Sequence, residues 1–220
     1  MADQQAELEW RDGSVPVSTR FDDPYFSLDD GLAETRHVFL AGNDLPARYH
    51  DAFHLAELGF GTGLNLLTAW RAFKDPGTLR FTSFEAFPMA QAEAEAALAA
   101  FPELADLAAP LLDAWAQESF SFEADGIRAQ VIIGDANKTL AKQDWQADAW
   151  FLDGFSPAKN PELWNEPLMA EVGAHTKSGG TFATYTAAGH VRRGLEAAGF
   201  DVRRVPGFAR KRHMSVGVKR

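Results

Sequence analysis

Three observations predict an α/β chain with a mostly parallel seven-stranded sheet, helices on both faces and an antiparallel last strand. Strand-like runs alternate with helical patterns along the 220 residues, three glycines crowd the first strand-to-helix turn, and the chain finishes strand–strand. Alternation implies crossover connections, which bury a parallel sheet between two helical layers.

The elements follow in order. Residues 53–58 form an apolar run that fits a buried strand, and 64–74 follow with helical spacing until Asp75-Pro76-Gly77 stops them. Residues 79–85 alternate as a second strand. Pro88 opens an alanine-rich helix through Ala100. A further helix over about 102–115 carries Leu104, Leu107, Leu111, Leu112 and Trp115 at helical spacing. Residues 119–123 and 127–133 flank Ala124-Asp125-Gly126, a hairpin signal. Residues 147–153 read as the next strand, and Pro161 to about Thr176 as the next helix. After the Ser178-Gly179-Gly180 turn, Thr181–Thr186 is β-rich and Ala188–Ala198 helical. Phe200–Val205 and His213–Val218 close the chain around a Pro206-Gly207 loop. This layout is Rossmann-like with an extra antiparallel strand, the class I methyltransferase arrangement. No repeat or linker interrupts it, so 1–220 reads as one domain, with 1–50 an N-terminal cap and 51–220 the core.

Composition is that of a soluble globular protein, with 46% apolar and 24% charged residues. No apolar run approaches the roughly 20 residues needed to span a bilayer. The start, MADQQAELEWRDG, lacks the basic and apolar segments of a signal peptide, so a cytoplasmic location is expected. Zero cysteines exclude disulfides, thiolate-bound metals and a cysteine nucleophile. The six histidines are scattered without metal-ligand spacing, and no metal is expected. Net charge is −10, yet residues 192–220 hold nine basic residues against two acidic ones. A basic end on an acidic body suits a local phosphate-binding face as well as it suits plain solvation.

In open parallel sheets ligands sit at the carboxyl ends of strands, and four acids fall there: Glu57, Glu85, Asp135 and Asp153. Gly59, Gly61 and Gly63 are spaced G-x-G-x-G, which differs from the dinucleotide fingerprint. Glycine lets a backbone turn sharply and approach a ligand. Glu57 beside them repels a pyrophosphate but suits the ammonium and sulfonium groups of S-adenosylmethionine. Glu85 at the second strand end can accept from ribose hydroxyls, and Asp135 at the third from an adenine amine. Alone, each acid is more often a helix N-cap or a solvated loop residue; together, beside the glycine turn, they favour a nucleoside site. Asp153 opens Asp-Gly-Phe-Ser-Pro-Ala-Lys, where an acid beside Phe155 and Pro157 can hold an amine and receive its proton. It can also simply cap the following turn.

The stretches 16–49, ELGFGTGLN (57–65), WFLDGFSPAKNPELW (150–164), TYTAAGHVRRGLEAAGF (184–200) and PGFARKRHM (206–214) carry a resemblance. With them the chain resembles the methyltransferase domain of the MnmC family, bacterial enzymes that complete 5-methylaminomethyl-2-thiouridine at the tRNA wobble position. The resemblance implies S-adenosylmethionine as cofactor and the amine of 5-aminomethyl-2-thiouridine as methyl acceptor. It implies Glu57, Gly59, Phe60, Gly61, Gly63 and Asn65 around the cofactor's methionine end, Glu85 on the ribose, Asp135 on the adenine, and Asp153 at the amine near the sulfonium. Tyr25 and Phe26 would close the pocket, while Lys159, Arg210, Lys211 and Arg212 would face tRNA phosphates. Many members continue into an FAD-dependent oxidase. No second glycine fingerprint occurs here, so either a stand-alone methyltransferase or one excised from a fusion is expected. If stand-alone, its aminomethyl substrate would come from a separate upstream oxidase or directly from the ammonia-using branch of the pathway. A small-molecule amine methyltransferase of the same fold, and a non-catalytic tRNA- or oxidase-binding module, are the alternatives.

Overall fold

The computed structural model describes residues 5–115 and 120–220. The chain begins with a small antiparallel sheet, β1 (Leu8–Arg11), β2 (Val15–Ser18) and β3 (Asp23–Pro24), then α1 (Gly31–Thr35) and two irregular helical turns through Asn43. Next come β4 (His54–Leu58), α2 (Leu64–Ala72), β5 (Leu79–Glu85), α3 (Gln91–Leu98) and α4 (Ala105–Trp115). A hairpin of β6 (Ser121–Ala124) and β7 (Ile127–Ile133) leads to the short α5 (Ala136–Thr139). The chain ends with β8 (Ala147–Leu152), α6 (Glu166–Ala174), β9 (Thr176–Thr184), α7 (Gly189–Ala197), β10 (Phe200–Pro206) and β11 (His213–Lys219).

The main sheet runs β10-β11-β9-β8-β4-β5-β7-β6. The pairs among β9, β8, β4, β5 and β7 are parallel, and β11 lies antiparallel between β9 and β10. The main sheet has eight strands against the seven of the expected layout, with the last one reversed as expected. The hairpin arm expected at 119–123 accounts for the difference: as β6 it joins antiparallel at the edge, because Gly126, at φ 73°, turns the chain straight back onto β7. Ser119, the first residue expected in that strand, lies outside the described residues.

Alternation along the strands sorts side chains onto two faces. Leu55, Phe81, Ala149 and Phe151 face α2 and α4, packing with Leu66, Leu67 and Leu111. Leu58, Trp150 and Leu152 face α6 and α7, packing with Leu168, Met169, Val191 and Leu195. Leu32, Val38, Phe39 and Leu40 of the N-terminal segment join the first of these cores. The expected helix from Pro161 is divided: 161–164 form a 3-10 turn, and Asn165 then caps α6 by accepting from the Leu168 N–H. β9 starts at Thr176, before the Ser178-Gly179-Gly180 stretch, which the strand absorbs as a register irregularity. Residues 1–50, for which the sequence pattern predicts a cap without named elements, contain the three-stranded sheet. Its first hairpin turns at Asp12-Gly13, both at positive φ. Among the described residues no helix is long and apolar enough to cross a membrane.

Candidate active site

The carboxyl ends of β4, β5, β7 and β8 open into one cavity of about 980 Å³, walled also by residues 20–35 and by the loop before β11. Such a volume lies at the upper end of the roughly 300–1,000 Å³ usual for ligand sites. The β4–α2 loop forms one wall. Gly59 has φ 85°, and a Cβ there would stand 1.8 Å from the Asp153 carbonyl oxygen, so only glycine lets this loop lie against the end of β8. Gly61, at φ 55°, faces the Tyr25 ring, with 3.1 Å between a would-be Cβ and the ring edge.

The four acids take different roles. Glu85 is held by backbone N–H groups, Gly61 donating to Oε2 (3.0 Å) and Phe87 to Oε1 (2.8 Å). Burial raises its pKa, opposed by those same donors. Asp135 N-caps α5, accepting from the Asn137 N–H and side-chain amide at 3.0 Å each, which hold its carboxylate below the usual range. It nonetheless lines the cavity. Asp153 Oδ2 accepts from Asn65 Nδ2 at 2.7 Å, and the same amide nitrogen donates to Glu57 Oε1 at 2.8 Å. The Ser83 hydroxyl donates to Glu57 Oε2 at 2.7 Å. Burial pushes Asp153 up to about 7, with Glu34 and Asp23 adding to the rise and Asn65 and Lys211 opposing it. Glu57 is completely buried, and that burial raises its pKa well above the usual carboxylate value, opposed by the bonds from Ser83 and Asn65.

Aromatic rings and ion pairs build the opposite wall. Phe155 stacks on Phe21 (centroids 4.8 Å apart) and meets the edge of Tyr25 (5.0 Å). Phe26 packs edge-on against Phe101. Asp23 Oδ2 accepts from the Ser156 N–H at 2.8 Å, tying the N-terminal segment to the loop after β8. The Tyr185 hydroxyl donates to the Gly154 carbonyl at 2.7 Å.

Most residues expected at the site converge here: Tyr25, Phe26, Gly59, Phe60, Gly61, Asn65, Glu85, Asp135, Asp153, Phe155, Lys159, Arg210 and Lys211 all border the cavity. Four do not line it. Glu57 lies under the floor, beneath Asn65; Gly63 faces Leu111 and Phe60 in the core; Pro157 is buried; Arg212 is exposed outside. Phe60 turns its ring into the core against Trp115 and Phe120, so its backbone borders the cavity. Both lysines expected to face phosphates hold carboxylates in this structure. Lys159 pairs with Asp22 (3.1 Å), and Lys211 pairs with Glu34 (2.8 Å) while its ammonium sits 4.0 Å over the Tyr185 ring. The sequence pattern missed Phe21, Glu34, Thr35 and Tyr185. Tyr185 directly follows β9, so the strand-end rule reaches it; the other three come from the N-terminal segment, which no periodicity ties to the cavity.

A glycine cradle that any Cβ would fill, beside a backbone-anchored acid at the second strand end and a further acid at the third, fits a nucleoside-bearing ligand. The geometry agrees with the comparisons. Residues 102–220, more than half of the chain, match the family described as S-adenosyl-L-methionine-dependent methyltransferase. The chain belongs to that family, a class I methyltransferase with S-adenosyl-L-methionine as cofactor. Within it the likeness is to MnmC. The chain is 49% identical over 96% of its length to the "tRNA 5-methylaminomethyl-2-thiouridine biosynthesis bifunctional protein MnmC" of Caulobacter sp., and 44% identical over 97% to that of Pseudomonas paraeruginosa. It spans 38% and 35% of those two proteins. The crystal structure of MNMC2 from Aquifex aeolicus superimposes with a TM-score of 0.72 at 25% identity, covering 98% of this chain and 71% of that one.

Proposed function

We propose that the chain methylates the primary amine of 5-aminomethyl-2-thiouridine at the tRNA wobble position, giving the methylamino nucleoside. The observation that carries this reading is Asp153. It is an acid with a pKa near neutrality, at the strand end where the glycine loop meets an aromatic wall. S-adenosylmethionine, when bound, supplies a methyl group on a sulfonium, which leaves as the neutral thioether when the methyl passes to nitrogen. Gly59, Gly61 and the Phe60 backbone would hold the methionine end, with Asn65 beside it and Glu57 supporting from below. Glu85 and Asp135 would accept from ribose and adenine. Asp153 would fix the amine through one Oδ and take the single proton it sheds, leaving a neutral lone pair in line with the methyl group. Phe155 and Tyr25 would flank the extruded pyrimidine, with Phe26 behind them. Arg210 and Arg212 would meet phosphates, which position the substrate while the base specifies it.

An upstream oxidase, fused or separate, would supply the aminomethyl group; the named relatives are bifunctional. A tRNA substrate places the reaction in the cytoplasm. The test is methyl transfer from labelled S-adenosylmethionine to tRNA carrying 5-aminomethyl-2-thiouridine, read by nucleoside mass spectrometry, with free small amines in parallel. Conversion in tRNA supports the proposal. Turnover of free amines alone would make the protein a small-molecule methyltransferase, and cofactor binding without turnover of either would make it a binding module.

A further inference from the structure

One amide bridges the buried Glu57 and the half-buried Asp153, and a residue from a distant segment sets which way that amide points. Asn65 stands second in α2, with its side chain between Glu57 below and Asp153 at the cavity wall. A carboxamide has two N–H donors and one acceptor oxygen. Both donors are spent, one on each carboxylate. The remaining Oδ1 accepts from the hydroxyl of Thr35, the last residue of α1, at 2.9 Å. Thr35 is buried, and α1 is itself pinned by Asp30, whose side chain accepts from the Ala33 N–H. A flipped amide would set its oxygen toward the two carboxylates and lose both N–H donations to them.

We propose that Thr35 and Asn65 are positioning residues for Asp153: Thr35 locks the Asn65 amide so that Asp153 stays an oriented proton acceptor facing the cavity while Glu57 stays beneath it. This rests on the amine-methylating reading of the same cavity. The other charged or titratable groups around Asp153 are Glu34 on α1, Asp23 on β3, Lys211 in the loop before β11 and Tyr185 after β9. Glu85 on β5 acts on Glu57 from the far side. Of these neighbours only Lys211 opposes a proton on Asp153 by charge, and Glu34 neutralises it at 2.8 Å. The Asn65 bond therefore carries much of what keeps the carboxylate ionised.

The test compares Thr35→Val, which keeps the shape without the hydroxyl, with Thr35→Ser, which keeps the hydroxyl. Infrared difference titration of the cofactor-free protein follows the protonated carboxyl band that Asp153→Asn abolishes. In Thr35→Val the midpoint should rise by on the order of one pH unit, and Thr35→Ser should restore it. The acid limb of kcat should move upward with it, at unchanged KM for tRNA. Thr35→Ala serves as the second variant if circular dichroism shows Thr35→Val misfolded. A folded hydroxyl-less variant with an unmoved midpoint overturns the proposal, even if its kcat falls. Because the infrared midpoint involves no substrate, it moves as proposed even if tRNA proves not to be the acceptor.

Discussion

A carboxyl group that burial pushes up to about 7 favours the fold only while it keeps its proton. In the unfolded chain Asp153 titrates near 3.8, so between the two values the native state binds more protons. Stability contributed by this residue is present at and below about pH 4 and is lost as pH rises toward 7. Activity runs the other way, because the ionised form is the proton acceptor. Asp153→Asn is therefore expected to melt higher than the wild type at pH 8, by about 1–2 kcal/mol after allowance for cavity water, or roughly 2–8 °C. The difference should shrink toward pH 4, and calorimetry at both pH values checks it. The same region shows what was legible in the sequence. Glu85, Asp135, Asp153 and the glycines are found by asking what stands at strand carboxyl ends. Thr35 and Glu34 are not, since what places them is a helix packed on α2 and a lysine 177 positions away.

Segments 20–27 and 153–160 behave as one structural unit, joined by the Asp23–Ser156 hydrogen bond, the Phe21–Phe155 stack and the Lys159–Asp22 pair. Asp23→Ala would leave the half-buried Ser156 N–H without its acceptor, at a cost of about 1 kcal/mol. Hydrogen exchange of residues 153–160 is expected to quicken while α2 and α4 stay protected; unchanged exchange would mean that the aromatic stack alone holds the loop. Elements built from local signals, such as the β6–β7 hairpin at Asp125-Gly126 and the helix ended by Asp75-Pro76-Gly77, could be read in advance. This junction could not, because Asp23 and Ser156 lie 133 positions apart and only the folded sheet brings them together. The division of 161–174 at Asn165 did carry a local signal, an Asn N-cap with Pro167 in the first helical turn, which the expectation of one helix from Pro161 passed over.

Charge is distributed over the whole molecule as the sequence indicates, with a basic carboxyl end on a chain of net charge −10. The basic residues at the cavity differ in their partners. Lys159 and Lys211 already hold carboxylates, whereas Arg210 and Arg212 make no ion pair among the described residues. Both lie in the loop between β10 and β11, Arg210 bordering the cavity and Arg212 exposed outside it. If both meet phosphates, Arg210→Glu with Arg212→Glu should reduce the slope of log affinity for tRNA against log salt by roughly 1.4–1.8. An unaltered slope would place the docking face elsewhere. The most direct measurement is single-turnover methyl transfer to tRNA bearing 5-aminomethyl-2-thiouridine by the wild type and Asp153→Asn, with S-adenosylhomocysteine binding followed by calorimetry in both. The expected result is equal binding with a rate about 10²–10⁴-fold lower in the variant. Equal rates in the two proteins would contradict the role assigned to Asp153 and with it the proposed mechanism.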